Sequence, residues 1–461
     1  MTSTISPPQV TTPVRPASPL PTLLASLLGF TVITIDVSAV NIALPSIGSS
    51  LHSGMTGLQW VVDAYTLMFA ALMVSAGALA DRAGARRAYA WGVALFTLAS
   101  LLCALAPGIG TLVAARVLQG ASAAIVMPAS LSLIRQAYDD PRARGRALAM
   151  WAAGGSVTLA IGPVIGGLLT ESYGWRAVFL LNLPVGLAIL ALLRRTPRSP
   201  RRPAPFDVGG QLTAVLALAS LAFAVIEGGA QGWTSTPVLT ALAVALLSGL
   251  AFHRMESRHR APMVPLELLR SRPVAASLAV GFTVNACFYG GIFLLGLYCQ
   301  QLLGLSATAT GLVFMPMAVL VTAMNFLSPR LTERIGHRPV IVGGQLVFVL
   351  SMLALLPLSA TTPIWLLLVL LIPLSTGGAI LVPALTGLLM NSVPAERTGT
   401  ASGVFNAVRQ TGGALAVALF GALIAQDGTD FSLAGLRTGL ITVAALLLVT
   451  AALSRWLLPK R

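Results

Sequence analysis

Long apolar runs, separated by short polar segments, constrain this chain more than any other feature of its sequence. A helix needs about 20 residues to cross ~30 Å of hydrocarbon, and fourteen runs of about this length can be drawn. They cover residues 20–44, 58–80, 87–106, 109–134, 147–170, 175–193, 208–227, 237–253, 274–299, 307–329, 338–357, 363–390, 403–426 and 434–457. Charged residues make up 9% of the 461 positions, against about 25% in soluble domains. The sequence therefore predicts an all-α polytopic membrane protein with fourteen transmembrane helices.

The basic residues predict the orientation of these helices. The chain has 29 Lys and Arg residues and a formal net charge of +15. If the N-terminus is cytoplasmic, all but four of them lie in the tails or in cytoplasmic loops, as the positive-inside rule requires. The exceptions are Arg116 and Arg409 within runs, and Arg176 and Arg437 at outer ends. We expect a multi-pass protein of the cytoplasmic membrane with both termini in the cytoplasm. The same placement argues against nucleic-acid binding.

An internal repeat predicts the domain organisation. The segment "LADRAGAR" (Leu79–Arg86) follows the second run, and "LTERIGHR" (Leu331–Arg338) follows the tenth. We therefore expect a disordered cytoplasmic tail (1–19), an N-terminal six-helix half (20–194), an inserted helix pair with basic linkers (195–273) and a C-terminal six-helix half with a short tail (274–461). Two related halves with a binding site between them at mid-membrane are a transporter architecture.

The sequence also excludes several kinds of chemistry. Its single lysine is Lys460, so it has no nucleotide-binding loop of the type that needs a lysine after its glycines. The four histidines lack metal-ligand spacing, and neither a nucleophile motif nor a catalytic carboxylate pair is present. We therefore expect a protein that is not an enzyme, binds no cofactor or metal, and takes its energy from an ion gradient.

Two charges within the apolar runs predict the site of energy coupling. A carboxylate at the centre of a spanning helix costs ~2.5–3.5 kcal/mol on insertion scales, so Asp36 needs a reason to be there. Arg116, with Gln119 and Gly120 at i+3 and i+4 on one helix face, lies about 10 Å below its outer helix end, and Asp36 lies about 12 Å below its own. The matching depth predicts a pair that couples protons. A purely structural ion pair is the alternative, and Asp63 is a weaker third candidate.

Two further motifs predict moving parts. The segment "GALADRAGARR" predicts a cytoplasmic latch between the halves, with an ordinary basic loop as the alternative. Its residues are Gly77, Asp81, Arg82, Gly84 and Arg86. The segment "IGPVIGG" predicts a kinked, close-packing helix face, which is either a hinge or plain packing. Its residues are Gly162, Pro163, Gly166 and Gly167.

Polar residues elsewhere in the runs are candidates for the lining of a central cavity. The segment "NAVRQTGG" sets three of them on one face near the inner end of a helix, where they could line the cavity or form a gate. The alternative is that its arginine only reaches toward the membrane surface. The full set is Asn41, Gln119, Asn406, Arg409, Gln410 and Glu227.

These motifs together resemble the 14-helix drug:proton antiporter branch of the major facilitator superfamily, the EmrB/QacA type. The first-helix motif of that family matches at Asp36, Asn41, Ala43, Leu44 and Pro45, with Ser38 in place of Thr. The loop, helix-4 and helix-5 motifs match at the residues named above, with Thr158 in place of the leading glycine in helix 5. The resemblance implies proton-driven export of lipophilic compounds.

The expected mechanism places the proton on Asp36. As the halves rock, Asp36 would exchange a dry setting far from Arg116 for a wet setting beside it. The protein would act as a monomer in the lipid bilayer, and the substrate would be a small lipophilic compound, neutral or monocationic, because few acids lie within the runs. The open alternatives are a dedicated exporter of one metabolite, antibiotic or lipid, an importer on the same fold, and a non-transporting membrane receptor or scaffold.

Overall fold

The computed structural model describes residues 19–197, 199, 207–258, 270–393, 398–424 and 432–458. In these ranges the chain forms helices joined by short turns. They are α1 (Leu20–Leu51), α2 (Met55–Ala83), α3 (Ala85–Ala104), α4 (Ile109–Ala137), α5 (Pro141–Tyr173), α6 (Arg176–Leu180), α7 (Asn182–Leu193), α8 (Val208–Gln231), α9 (Thr236–Arg258), α10 (Arg272–Leu297), α11 (Ala307–Ile335), α12 (His337–Ala354), α13 (Ile364–Asn391), α14 (Thr398–Ile424) and α15 (Leu433–Leu457).

The prediction of an all-helical membrane protein is confirmed. Within the described residues, twelve helices are long and apolar enough to cross a membrane. One of them is the α6–α7 pair, and another is α10 continued by a π-helical turn at Tyr298–Leu302. The helices α2 and α5 are not among the twelve, so this measure gives twelve spans where the sequence analysis predicted fourteen.

The helices pack in a pattern that occurs twice. In the first set, α1 contacts α4, α5 and α7, α2 contacts α4, and α3 contacts α4 and α7. In the second set, α10 contacts α13, α14 and α15, α11 contacts α13, and α12 contacts α13 and α15. The most extensive contacts between the sets join α5 to α11 and α2 to α14. The pair α8–α9 lies outside both sets and attaches through α8 to α2 and α14.

The repeated sequence motif folds into the same turn in both sets. Gly84 separates α2 from α3 with φ of 85°, and Gly336 separates α11 from α12 with φ of 87°. Glycine adopts this region of φ readily because it has no Cβ, whereas other residues do so at a cost. Each glycine therefore lets the chain reverse between two helices without an intervening loop.

Several predicted helix boundaries are wrong. Helix α1 continues to Leu51, through Pro45, instead of ending at residue 44. The predicted span over 175–193 is confirmed as one span, Arg176–Leu193, although a turn at Leu181 divides it into α6 and α7. The sequence analysis ended the first run before Pro45, but a helix can continue past the hydrocarbon where its backbone hydrogen bonds remain satisfied.

Large apolar side chains on the outer surface fit a lipid environment. Helix α9 leaves Leu239, Leu246, Leu247 and Leu250 between 52% and 65% exposed. A soluble protein rarely leaves so much contiguous apolar surface in water. This face of α9 is therefore suited to contact with lipid.

Close packing between α2 and α4 requires a glycine, and this can be tested within one helix. A Cβ added at Gly120 would lie 2.2 Å from the Tyr65 carbonyl oxygen, whereas one added at Gly110 would meet nothing within 4 Å. We expect Gly120→Ala to lower stability by ~1–3 kcal/mol through overpacking and Gly110→Ala to leave it unchanged. Melting temperatures of the two purified variants measure this, and equal temperatures would contradict it.

Candidate functional site

Asp36 lies in the interior of the first helix set. Its side chain is 0% exposed, and its two carboxylate oxygens accept hydrogen bonds from three side chains. Arg116 Nη1 donates to Oδ2, while Gln119 Nε2 and Asn182 Nδ2 donate to Oδ1 at 2.8 and 2.9 Å. The structure thus brings together Asp36 and Arg116, the two residues whose depths match in the sequence.

Arg116 is held in place by groups besides the carboxylate. Its Nε donates to the Val61 carbonyl at 2.9 Å, and Nη1 also donates to Gln119 Oε1 at 2.8 Å. The guanidinium carbon lies 4.3 Å from the centre of the Tyr65 ring, which adds a favourable cation–π contact. The side chain is 2% exposed, so protein groups replace water around the charge.

A second layer of hydrogen bonds fixes the amides that bind Asp36. Ser100 Oγ accepts from Gln119 Nε2 at 2.8 Å and from Asn182 Nδ2 at 3.0 Å. The network therefore joins α1, α3, α4 and α7. A buried ion pair offsets its desolvation cost only when further hydrogen bonds satisfy the remaining atoms, and these amides supply them.

This geometry corrects the expected setting of Asp36. The sequence analysis paired dryness with distance from Arg116, and water with proximity to it. The structure instead combines complete burial with direct contact to Arg116. The expectation that Asp36 would be wet when it contacts Arg116 was wrong for this conformation, because the amides of Gln119 and Asn182, rather than water, donate to the carboxylate.

A cavity of about 290 Å³ lies between the two helix sets. Its wall on the first set includes Phe30 and Trp151, whose rings stack at a centroid distance of 4.0 Å. Thr34 and Val37 also line it, so α1 presents one face to the cavity and another, with Asp36, to the ion pair. The cavity and the buried network thus share one helix.

The opposite wall of the cavity is more polar. Three of the predicted lining residues form it on α14, namely Asn406, Arg409 and Gln410, and Asn285 of α10 joins them. Asn285 Oδ1 accepts from Arg409 Nε at 3.2 Å and from Nη2 at 3.0 Å, while its Nδ2 donates to Gln410 Oε1 at 3.0 Å. Arg409 Nη1 donates to Asn406 Oδ1 at 3.3 Å.

The other predicted lining residues lie elsewhere. Gln119 is fully buried in the Asp36 network and does not line the cavity. Glu227 lies on α8, where its carboxylate accepts from Gln231 at 2.6 Å, because the inserted pair packs outside the two sets. Asn41 lines a small adjoining pocket beside Pro163, and its Nδ2 donates to the Val37 carbonyl at 2.8 Å.

Asp63 is buried away from the ion pair. Its side chain is 0% exposed, and neither carboxylate oxygen has a hydrogen-bond partner among the described residues. One turn earlier on α2, Gln59 Nε2 donates to the Ala418 carbonyl of α14 at 2.7 Å. Similar depth therefore did not bring Asp63 to Arg116, because it lies on a different face of its helix.

The predicted latch is not assembled around Gly77. A Cβ added there would meet nothing within 4 Å, so no described helix packs closely on this glycine in this conformation. Arg82 is exposed, Gly84 forms the turn already described, and the Arg86 amide donates to Ser199 Oγ at 3.1 Å. The side chain of Asp81 lies outside the described part of the structure.

The helix-5 motif forms a close-packing face on α5. A Cβ added at Gly162 would lie 1.9 Å from Ser38 Oγ, and one added at Gly166 would lie 2.6 Å from the Ala39 Cα, both on α1. At Gly167 it would lie 2.5 Å from the Ala307 carbonyl oxygen of α11. Pro163 lies inside the helix between them. The motif therefore brings α5 against both helix sets.

Sequence reasoning missed three residues of these two sites. They are Ser100 and Asn182 in the buried network and Asn285 in the cavity wall. Each asparagine is an isolated amide in an apolar run ("VFLLNLPVGL" and "TVNACF"). Polar side chains within spans are expensive and face the bundle interior, so this isolation was the available signal.

The comparisons with known proteins agree with this architecture. A family model described as "Major Facilitator Superfamily" matches residues 26–417. A "Methylenomycin A resistance protein" of Streptomyces coelicolor is 38% identical over 86% of this chain and 84% of its own length. A "Multidrug resistance protein Stp" of Mycobacterium tuberculosis is 38% identical over 88% and 75%, and a "Tetracenomycin C resistance and export protein" of Streptomyces glaucescens is 32% identical over 89% and 77%.

Solved structures share the fold at low sequence identity. A crystal structure of the peptide transporter POT superposes with a TM-score of 0.72 at 16% identity, covering 96% of this chain and 95% of that one. A D-xylose–proton symporter superposes with a TM-score of 0.69 at 13% identity, covering 96% and 98%.

The buried ion pair predicts a specific pattern of stability. Asp36→Ala would leave the Arg116 guanidinium buried without a counter-charge, which costs ~3–5 kcal/mol. Adding Arg116→Met removes that charge, so we expect the double variant to melt at a higher temperature than Asp36→Ala alone. Glu227→Ala, which removes a half-exposed carboxylate, is the control and should melt like the unmodified protein. A double variant no more stable than Asp36→Ala would contradict the account.

Proposed function

The chain belongs to the major facilitator superfamily and is a transport protein, not an enzyme, and we propose that it exports small lipophilic, drug-like compounds across the cytoplasmic membrane in exchange for protons. The names of its relatives support this proposal, since they include resistance to methylenomycin A, multidrug resistance, and resistance to and export of tetracenomycin C. Export by antiport also fits a chain without a nucleotide-binding lysine loop.

One structural observation carries the coupling part of the proposal. Helix α1 presents Thr34 and Val37 to the cavity and Asp36 to Arg116. A proton on Asp36 would neutralise the carboxylate and leave Arg116 without its counter-charge, which favours a different position of α1 relative to α4. A substrate in the cavity contacts the same helix, so substrate and proton act on one rigid element.

We propose that this conformation faces the cytoplasm. Four contacts join the two helix sets at the end of the bundle opposite to the start of α1. Gln59 Nε2 donates to the Ala418 carbonyl, and Gln300 Nε2 donates to the Ile42 carbonyl at 3.1 Å. The Glu171 carboxylate accepts from the Thr308 amide at 3.3 Å, and Gly167 packs on Ala307. At the other end, Cβ atoms added at Gly77 and Gly403 would meet nothing within 4 Å.

The Glu171 contact strengthens this outer closure. Hydrogen bonds from the hydroxyl and the amide of Thr308, and from Ser306, lower the pKa of the Glu171 carboxyl. Its charge is therefore retained at ordinary external pH, and it lies at the N-terminus of α11, where a negative charge is favoured. Protonation would weaken the contact only in strongly acidic solution.

We also propose fourteen spans rather than twelve. Helices α2 and α5 have 29 and 33 residues, or about 43 and 50 Å at 1.5 Å per residue. Each packs along helices of both sets. With two six-helix halves, an inserted pair α8–α9 and cytoplasmic termini, we propose that the chain is a monomeric member of the 14-helix antiporter branch.

A dedicated exporter is the second candidate. Two of the relatives are named for a single antibiotic, and another is named for many drugs. A resistance panel in an efflux-deficient host separates the two functions, because a dedicated exporter would protect against one chemical class alone. The predicted neutral substrates fit the largely apolar cavity. The cavity gives no support to the predicted monocationic substrates.

The first prediction tests proton coupling. Asp36→Asn keeps the size of the side chain but removes the charge that pairs with Arg116, so we expect uphill, uncoupler-sensitive efflux to be lost. Asp139→Asn, in an exposed position, is the matched control and should transport normally. Efflux against a gradient is measured in cells that express equal amounts of each protein. Wild-type uphill efflux by Asp36→Asn would refute the proposed role.

The second prediction tests the topology. The three native cysteines are buried, so single cysteines can be introduced at Ser53, Arg82, Asp139 and Tyr173 and labelled with an impermeant maleimide. Fourteen spans require labelling from outside at Ser53→Cys and Tyr173→Cys, and none at Arg82→Cys and Asp139→Cys until the membrane is permeabilised. Labelling of Ser53→Cys and Arg82→Cys from the same side would show that α2 does not cross.

A further inference from the structure

The central cavity contains an arginine that has no acidic partner among the described residues. Of the described residues that line it, Arg409 is the one that carries a charge. We propose that the preferred substrates are small lipophilic monoanions whose carboxylate or equivalent oxyanion binds Arg409. The proposal rests on the export function above and names the substrate class of the same cavity.

The contacts of Arg409 are all with neutral groups. Its guanidinium donates to the amide oxygens of Asn285 and Asn406 and lies 5.5 Å from the Phe405 ring centre. A guanidinium has five N–H donors, and these bonds use three of them. Across the described residues, the ion pair that the structure forms is Arg116 with Asp36, so Arg409 retains both its charge and donors for a ligand.

The distribution of acids in the sequence also leaves Arg409 without a carboxylate nearby in its own helix set. No Asp or Glu occurs between Glu267 and Glu333, or between Glu333 and Glu396, and the remaining two acids are Asp427 and Asp430. The helices α10 to α15 therefore contain one acid, Glu333, which is exposed near the end of α11. Arg409 lies eleven residues from the start of α14, about 16 Å along it, and α14 itself contains no acid.

The two walls of the cavity suit the two ends of an amphiphilic anion. Phe30, Phe69, Met73 and Trp151 form an apolar wall on the first set. Arg409 and the amides that hold it form a polar wall on the second set. Binding pockets commonly combine apolar walls with a few oriented polar groups. An aromatic or aliphatic body would pack on the first wall while its oxyanion binds the second.

This charge arrangement corrects the expectation of monocationic substrates. Apart from Asp36, the acids within the predicted runs are Asp63 and Glu227, and neither lines the cavity. Asp36 is already occupied by Arg116. A cation in the cavity would face the Arg409 charge across a partly dry space, where like charges repel strongly. A neutral compound avoids that repulsion but gains no charge-assisted hydrogen bond.

Three probes with the same aromatic body test this inference. Naphthaleneacetate, naphthaleneacetamide and naphthylethylammonium differ chiefly in charge, and their proton-driven uptake into everted membrane vesicles can be compared through kcat/KM. We expect the carboxylate to be transported best, the amide less well and the ammonium compound not at all. Equal or faster transport of the ammonium compound, transport of the amide alone, or transport of none of the three would overturn the inference. The resistance panel judges the export function separately.

Variants of Arg409 locate the preference. We expect Arg409→Gln to reduce the carboxylate-to-amide ratio of kcat/KM at least about tenfold, the loss that accompanies a charged hydrogen bond, and Arg409→Lys to keep the carboxylate preferred. Arg437→Gln removes the same charge from an exposed position and should leave the ratio unchanged. A folding defect lowers transport of both probes together, so the ratio is insensitive to it. An unchanged ratio in Arg409→Gln would overturn the assignment.

Discussion

The buried ion pair between Asp36 and Arg116 is the interaction on which the first helix set depends. Two charges removed from water cost several kcal/mol each, and their attraction offsets this cost only where the surrounding groups complete their hydrogen bonds. Here Gln119, Asn182 and the Val61 carbonyl do so. Four helices of the first set are therefore tied together in its interior by polar groups.

The two arginines within the spans have opposite surroundings. Arg116 is sealed, is paired with a carboxylate and contacts the Tyr65 ring. Arg409 borders the cavity and contacts amides. A span arginine without a counter-charge is costly unless water or a ligand supplies one. In the proposed mechanism, the first arginine serves a proton site within the protein and the second binds the substrate.

The sequence allowed depth along the helices to be predicted better than direction around them. Asp36 and Arg116 could be matched because the residue count from each helix end gives height in the membrane. Asp63, at a similar height, faces α14 through the turn that carries Gln59, and Gln119 points into the network rather than the cavity. Which face of a helix meets which neighbour depends on packing between distant segments. The contacts of Asn182 with Asp36 and of Asn285 with Arg409 join residues more than 100 positions apart, and they could not be predicted for the same reason.

The central claim is that Asp36 carries the proton that is exchanged for substrate. The most direct measurement follows protons as substrate binds to the purified protein in weakly buffered detergent solution. The account predicts that the unmodified protein releases protons when substrate is added, and that Asp36→Asn binds the same substrate without releasing them. Equal proton release by Asp36→Asn and the unmodified protein would place the exchanged proton elsewhere and contradict the account.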